Sequence, residues 1–329
     1  MAGSVSTSFR LRRQLLGALA AAPAAVLAGA AHGAGAPDLS GVTLVLGDQA
    51  GGLRALAEAS RVLEGAPYTY RWANFQGAAP LFEAQRANAV DIAPAGDLPV
   101  LAAATGDPSL RIVATRVGSP TQLGLLVPQR SGLHSVAQLK GRTVFVSSAR
   151  GSIAEYQLDG ALAEAGIARA DIQIRYILPV DAFAAFMSGS IEAWATFDPY
   201  YGIAISRGAR VLRDGTGINS GLGFITASGA AHANPLKRAA IADVLQRLQR
   251  AGDWALAHPQ AYAEVYGTLT RTPTDTALAI TQRASLKQHF VTAADIATLQ
   301  KVADVAVRDG ILPRALDVAA LADTRIGTV

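Results

Sequence analysis

The side chains able to do covalent or metal chemistry are few and scattered. There is no cysteine, which removes disulfides, thiolate metal sites and thiol nucleophiles together. The five histidines, His32, His134, His232, His258 and His289, stand far apart with no helical ligand spacing, so no metal site and no zinc hydrolase is indicated. No G-x-S-x-G elbow occurs, and Ser147, Ser148 and Ser152 have no candidate base nearby in sequence, so no catalytic residue is assigned. What remains is chemistry the backbone can do. Three turns, Gly47–Gly52, Pro94–Pro99 and Ser147–Ser152, are marked by Gly or Pro and follow apolar β-branched runs. At a strand-to-helix turn the free N–H groups and the helix dipole form an anion site without a charged side chain. Such turns also occur in any βα unit with a Gly and a Ser or Asp cap, so each alone reads either way. A fourth stretch, Trp194-Ala195-Thr196-Phe197-Asp198-Pro199, places aromatics beside an Asp-Pro helix start. Those aromatics suit either a cleft wall or an ordinary core.

Elements must hold these turns in place. Val42–Leu46, Tyr68–Trp72, Val90–Ala93, Ile112–Thr115 and Leu123–Val127 read as strands. Helical periodicity intervenes from Leu53 to Leu63 and from Pro80 to Arg86. A second series follows: strands at Thr143–Val146, Ile172–Ile177, Ala193–Thr196, Arg210–Leu212 and Phe224–Ala227, with helices from Ile153 to Ala165 and Ala182 to Met187. From Pro235 to about Asp309 the pattern is almost wholly helical. Strands alternating with helices predict an α/β fold, and two series predict two lobes, each a mixed sheet flanked by helices. A cleft between lobes is where a small ligand binds. No G-K-[ST] follows Gly51-Gly52, and no G-x-G-x-x-G follows a strand, so nucleotide sites are not indicated.

The first 36 residues differ in kind. Arg10, Arg12 and Arg13 precede an Ala/Gly/Leu stretch with no acidic residue, the pattern of a cleaved secretory signal, and Arg12-Arg13 is similar to the twin-arginine type. The whole chain of 329 residues has 29 Lys+Arg against 25 Asp+Glu, a formal +4. Without the three leader arginines the balance is 26 to 25. The basic pI near 9.5 therefore comes mostly from the leader. No basic stripe with interleaved aromatics occurs, so no nucleic-acid partner is expected.

Several stretches together carry a family resemblance over roughly residues 39–326. They are Phe75-Gln76-Gly77-Ala78-Ala79-Pro80-Leu81-Phe82-Glu83-Ala84, then Val90-Asp91-Ile92 with Gly96-Asp97-Leu98-Pro99. Ser135-Val136-Ala137-Gln138-Leu139-Lys140-Gly141-Arg142 precedes Gly151-Ser152 at a helix start, and residues 185–194 lead into Phe197-Asp198-Pro199-Tyr200. In order and spacing the chain resembles the aliphatic-sulfonate, taurine and nitrate substrate-binding proteins of bacterial ABC importers. Three features depart from the pattern: Ser148–Ile153 is two residues longer than the usual Lys-Gly-Ser-Asn segment and puts Ile153 where a polar residue is expected; the first turn differs in side chains; and Phe197 replaces a tryptophan.

The resemblance implies a type II periplasmic-binding-protein fold, α/β and two-lobed. Expected boundaries are 1–36 for the signal, 37–128 and 219–329 for the first lobe, and 129–218 for the second. It implies a soluble periplasmic carrier, not an enzyme, without lipid anchor or cofactor, that binds a small anionic organic ligand and delivers it to an inner-membrane ABC permease as a monomer. The implied substrate-binding residues are Gln49, Gly51, Gly96, Asp97, Gln122, Ser148, Gly151, Ser152, Trp194, Phe197 and Asp198. Nitrate, taurine, a thiamin-precursor pyrimidine or an aromatic carboxylate stand as alternative cargoes. A desulfinase-like enzyme on the same fold is the remaining alternative, although such relatives use a cysteine nucleophile.

Overall fold

Alternating side chains on the central strands decide the architecture. In β1 (Thr43–Gln49), Leu44 and Leu46 face one core while Val45 faces another. The same alternation separates Ile92 from Ala93 in β3 (Ile92–Gly96) and Phe224 from Ile225 in β10 (Leu222–Ala227). A strand apolar on both sides must be covered on both faces. The computed structural model describes residues 37–328, and the expected export signal at 1–36 lies outside them.

Two sheets result. The first has six strands in the order β11-β4-β10-β3-β1-β2, with β2 (Thr69–Phe75), β4 (Arg111–Val117) and β11 (Lys287–Phe290). Helices α1 (Gly52–Ser60), α8 (Pro235–Ala257) and α9 (Pro259–Thr270) cover one face. The other is covered by α2 (Ala78–Arg86), α3 (Asp97–Gly106) and α11 (Ala293–Arg308). The second sheet has five strands in the order β7-β6-β8-β5-β9: β5 (Leu123–Val127), β6 (Thr143–Ser147), β7 (Gln173–Ile177), β8 (Trp194–Phe197) and β9 (Arg210–Asp214). One face packs on α4 (Ile153–Glu164), the other on α5 (Pro179–Met187) and α6 (Tyr200–Ser206). The short α7 (Gly229–Ala233) and α12 (Val318–Leu321) and the interlobe helix α10 (Thr274–Thr281) complete the set.

The sheets repeat one plan. β1 is parallel to β2 and β3, and β6 is parallel to β7 and β8. Each sheet then takes an antiparallel strand that has crossed over: β10 beside β3, and β5 beside β8. β5 therefore belongs to the second lobe. The first crossing lies between Val117 and Leu123, ahead of the expected boundary at 128, because Leu123–Val127 pairs with β8 and β9 rather than with the first sheet. The return crossing lies between Asp214 and Leu222. The stretch read as almost wholly helical is interrupted by β11, which pairs antiparallel with β4. Among the described residues no helix is long and apolar enough to cross a membrane.

Candidate functional site

The carboxyl ends of β1, β3, β6 and β8 meet around a cavity of about 420 Å³ shared by both lobes. The lobes touch across it. A Cβ on Gly96 would lie 2.8 Å from Ile153 Cδ1, and one on Gly77 would lie 2.8 Å from Ser148 Oγ. Tyr200 donates its hydroxyl to Gln76 Oε1 at 2.8 Å, and Arg283 pairs with Asp198 through Nε–Oδ2 at 3.0 Å.

Eight of the expected residues line the cavity: Gln49, Gly96, Gln122, Ser148, Gly151, Ser152, Phe197 and Asp198. Three do not. Gly51 stands behind the lining, with Gly52 in its place, as the left-handed start of α1 (φ 81°). Asp97 is buried, and its carboxylate accepts from Leu98 N (2.7 Å) and Ser220 Oγ (2.6 Å). Trp194 is wholly buried in the second lobe's core; its Nε1 donates to Ser147 Oγ at 2.9 Å and its ring lies 5.3 Å from that of Phe186.

At the three helix starts expected to hold an anion, some of the donors are met by the chain's own side chains. Asp48 Oδ1 accepts from Leu53 N (2.8 Å) and Arg54 N (3.3 Å) at the start of α1. Asp97 does the same for Leu98 N at α3. At α4, Ser152 Oγ caps Glu155 N (3.2 Å), and Glu155 Oε2 accepts from Gly151 N (2.6 Å), one residue ahead of the cap. A helix start so filled no longer offers those donors to a ligand. The start of α2 differs: Gly77 supplies no side-chain cap, and Ala78 and Ala79 line the cavity.

Polar groups of other kinds face the cavity. Ser148 holds a left-handed backbone (φ 88°) and its buried Oγ has no hydrogen-bond partner. Such backbone strain in a non-glycine residue is typical of ligand-holding segments. Arg116, at the end of β4, donates from Nη2 to the Ser285 carbonyl at 2.7 Å and makes no ion pair with a carboxylate among the described residues. Burial pulls its pKa below the ordinary arginine value, with Tyr262 and Asp48 opposing from a distance. Arg150 sits exposed at the rim. Burial raises the pKa of Asp48, and it pushes that of Asp198 up to about 6 against the pull of Arg283 and of Gly202 N–H. Phe82, Leu123, Phe197 and Tyr266 supply apolar surface.

Arg116 escapes the sequence reading because it ends an apolar run with no motif around it. The available signal is positional: a lone arginine at the carboxyl end of a strand, where open α/β sheets gather their ligands. Among the described residues no cluster of His, Asp and Glu is disposed to hold a metal ion.

The family described as NMT1/THI5 like matches residues 82–262. A protein of Escherichia coli (strain K12) named for binding aliphatic sulfonates is 35% identical over 193 residues. That match covers 56% of this chain and 60% of the relative, less than two thirds of its length. The alkanesulfonate-binding protein SsuA of Xanthomonas axonopodis pv. citri, bound to MOPS, superposes with a TM-score of 0.77 at 27% identity, covering 85% of this chain and 98% of that one. The periplasmic aliphatic sulphonate binding protein SsuA of Escherichia coli gives 0.72 at 28% identity, covering 87% and 92%. The two-lobed α/β fold is thus shared with proteins of that kind.

Proposed function

We propose, from the premise that this chain belongs to the NMT1/THI5-like family, that it is the substrate-binding component of an ABC importer. It captures an organic sulfonate between its lobes in the periplasm and hands it to an inner-membrane permease. The observation that carries this reading is the cavity itself: enclosed by two lobes in mutual contact, apolar on several sides, and supplied with fixed donors at Arg116, Ser148 and the start of α2. A sulfonate stays ionised at physiological pH, so fixed donors suit it and a titrating base is unnecessary. The names of the E. coli and X. axonopodis relatives support sulfonates over the other cargoes. The two crossings between lobes suit a hinge closing over the ligand.

We read the protein as a carrier rather than an enzyme. His232 and His289 are bound to Asp323 and Asp295, away from the cavity, so neither is placed to activate Ser148. Calorimetric titration of the purified mature chain with alkanesulfonates, taurine, nitrate and sulfate tests the reading. An organic sulfonate is expected to bind and to stabilise the fold by about 2.7 kcal/mol at a hundredfold excess over its Kd. Absence of both heat and thermal shift with every sulfonate overturns it, and turnover of a sulfonate or sulfinate overturns the carrier reading.

A further inference from the structure

Asp48, Asp97 and Glu155 take up some of the donors at the starts of α1, α3 and α4, so a charged side chain that lines the cavity without an ion-pair partner is the stronger candidate to meet a ligand's negative charge. Arg116 has the chemistry. Its guanidinium carries five N–H donors, and one donor nitrogen, Nη2, is spent on the Ser285 carbonyl. A half-buried charge without a counter-ion is incompletely compensated, and an anion arriving in the cavity can pair with it. Asp48 acts on Arg116 only through space: its Oδ1 accepts from the start of α1, and its buried Oδ2 has no hydrogen-bond partner.

The sheet opens the room this needs. Arg116 is paired on β10 with Gly223, so the two residues face the same side of the sheet. Gly223 lines the cavity and presents no side chain beside the arginine. The Ser285 carbonyl, ahead of β11, anchors one corner of the guanidinium and limits its rotamers, and Arg116 lines the cavity.

We propose that Arg116 takes the acid group of the ligand in a two-point, charge-assisted contact, and that the site therefore selects organic acids bearing one compact oxyanion on an apolar body. Phe82, Leu123, Phe197 and Tyr266 receive that body. This assignment rests on the carrier reading above and adds the group that recognises the charge. An arginine serving only to tie β4 to the Ser285 turn would affect folding without distinguishing a charged ligand from a neutral one.

Calorimetry of wild type, Arg116→Gln and Arg116→Lys with pentanesulfonate, benzenesulfonate and MOPS, alongside uncharged benzenesulfonamide, separates the cases. The wild type is expected to bind at least one sulfonate and to prefer benzenesulfonate to benzenesulfonamide. Arg116→Gln is expected to lose about 30-fold or more in sulfonate affinity, with the sulfonamide little changed, so that the preference for charge collapses. Arg116→Lys, which keeps the charge without the fork, is expected to fall between. It also serves where circular dichroism shows that the glutamine variant does not fold. Wild-type sulfonate affinity in either folded variant overturns the assignment. A wild type that binds none of the three sulfonates overturns the carrier reading instead.

Discussion

Trp194 and Phe197 stand three positions apart on one strand, an odd spacing that sends them to opposite faces of the sheet. Trp194 enters the core with Phe186 and Ala204, while Phe197 packs toward the α4 side and reaches the cavity. The period-two count was available in the sequence and would have moved the tryptophan out of the site. Asp97 is a harder case, since nothing local says that its carboxylate turns inward to Ser220, 123 positions away. Gln122, Ser148 and Ser152 were legible because they stand at strand or helix starts, and such positions collect at one edge of a parallel sheet. The two aromatics should separate experimentally. Trp194→Ala is expected to cost about 3–5 kcal/mol of stability, as large-to-small core changes do, with ligand affinity in the folded fraction within about twofold of wild type. Phe197→Ala is expected to weaken binding by about tenfold, at roughly 1.4 kcal/mol per factor of ten, for the loss of cavity wall. Urea unfolding and calorimetry on both variants check the pair, and equal loss of affinity in the two would return Trp194 to the site.

At the scale of elements, the strand-helix alternation was legible because apolar period and Gly or Pro punctuation agree along most of the chain. β11 was not, since Lys287-Gln288-His289-Phe290 lacks alternation and becomes a strand by pairing with the edge of β4. The helix starts stand where the sequence places them, but part of their donors are taken, because Asp48, Asp97 and Glu155 answer the same dipole that a ligand would. What the starts of α3 and α4 supply instead is close approach. β3 runs into α3 at Gly96 with no loop between, and Gly96 faces Ile153 at the first residue of α4. Gly96 has φ −66° and ψ 171°, a conformation open to any residue, so Gly96→Ala creates no backbone strain by itself. Its added methyl meets Ile153 only when the lobes are together. The expected result is a ligand affinity lower by about 5- to 150-fold, from about 1–3 kcal/mol of overpacking, with melting temperature in the absence of ligand near that of wild type. Unchanged affinity would mean that Ile153 yields without cost.

For the molecule as a whole, the exchange of β5 and β10 between sheets makes the lobes one cooperative body, and the Asp198–Arg283 pair binds them beside the cavity. Asp198 follows β8 in the second lobe, whereas Arg283 follows α10, which packs on α6. Burial outweighs the attraction of Arg283 and lifts the Asp198 pKa from 3.8 to about 6. The folded chain therefore holds this proton more tightly than the unfolded chain does. The resulting stabilisation is fully present below pH 3.8 and is lost as pH rises through about 6. Asn at the same position has no proton to gain, while keeping an acceptor for Gly202 N–H and for Arg283. The stability of wild type relative to Asp198→Asn is thus expected to fall by up to about 3 kcal/mol between pH 4 and pH 7, at 1.36 kcal/mol per pKa unit. The attraction of the ionised carboxylate to Arg283 is already contained in the pKa of about 6, so only differences between Asn and the neutral carboxyl shift the curve as a whole. Urea unfolding of both proteins across that range reads the slope directly, and a difference independent of pH would place the carboxyl's titration outside the window. Tyr201 and Tyr266, which feel the Asp198 charge, have pKa values raised further by burial and remain neutral there, so the slope belongs to the carboxyl between the lobes.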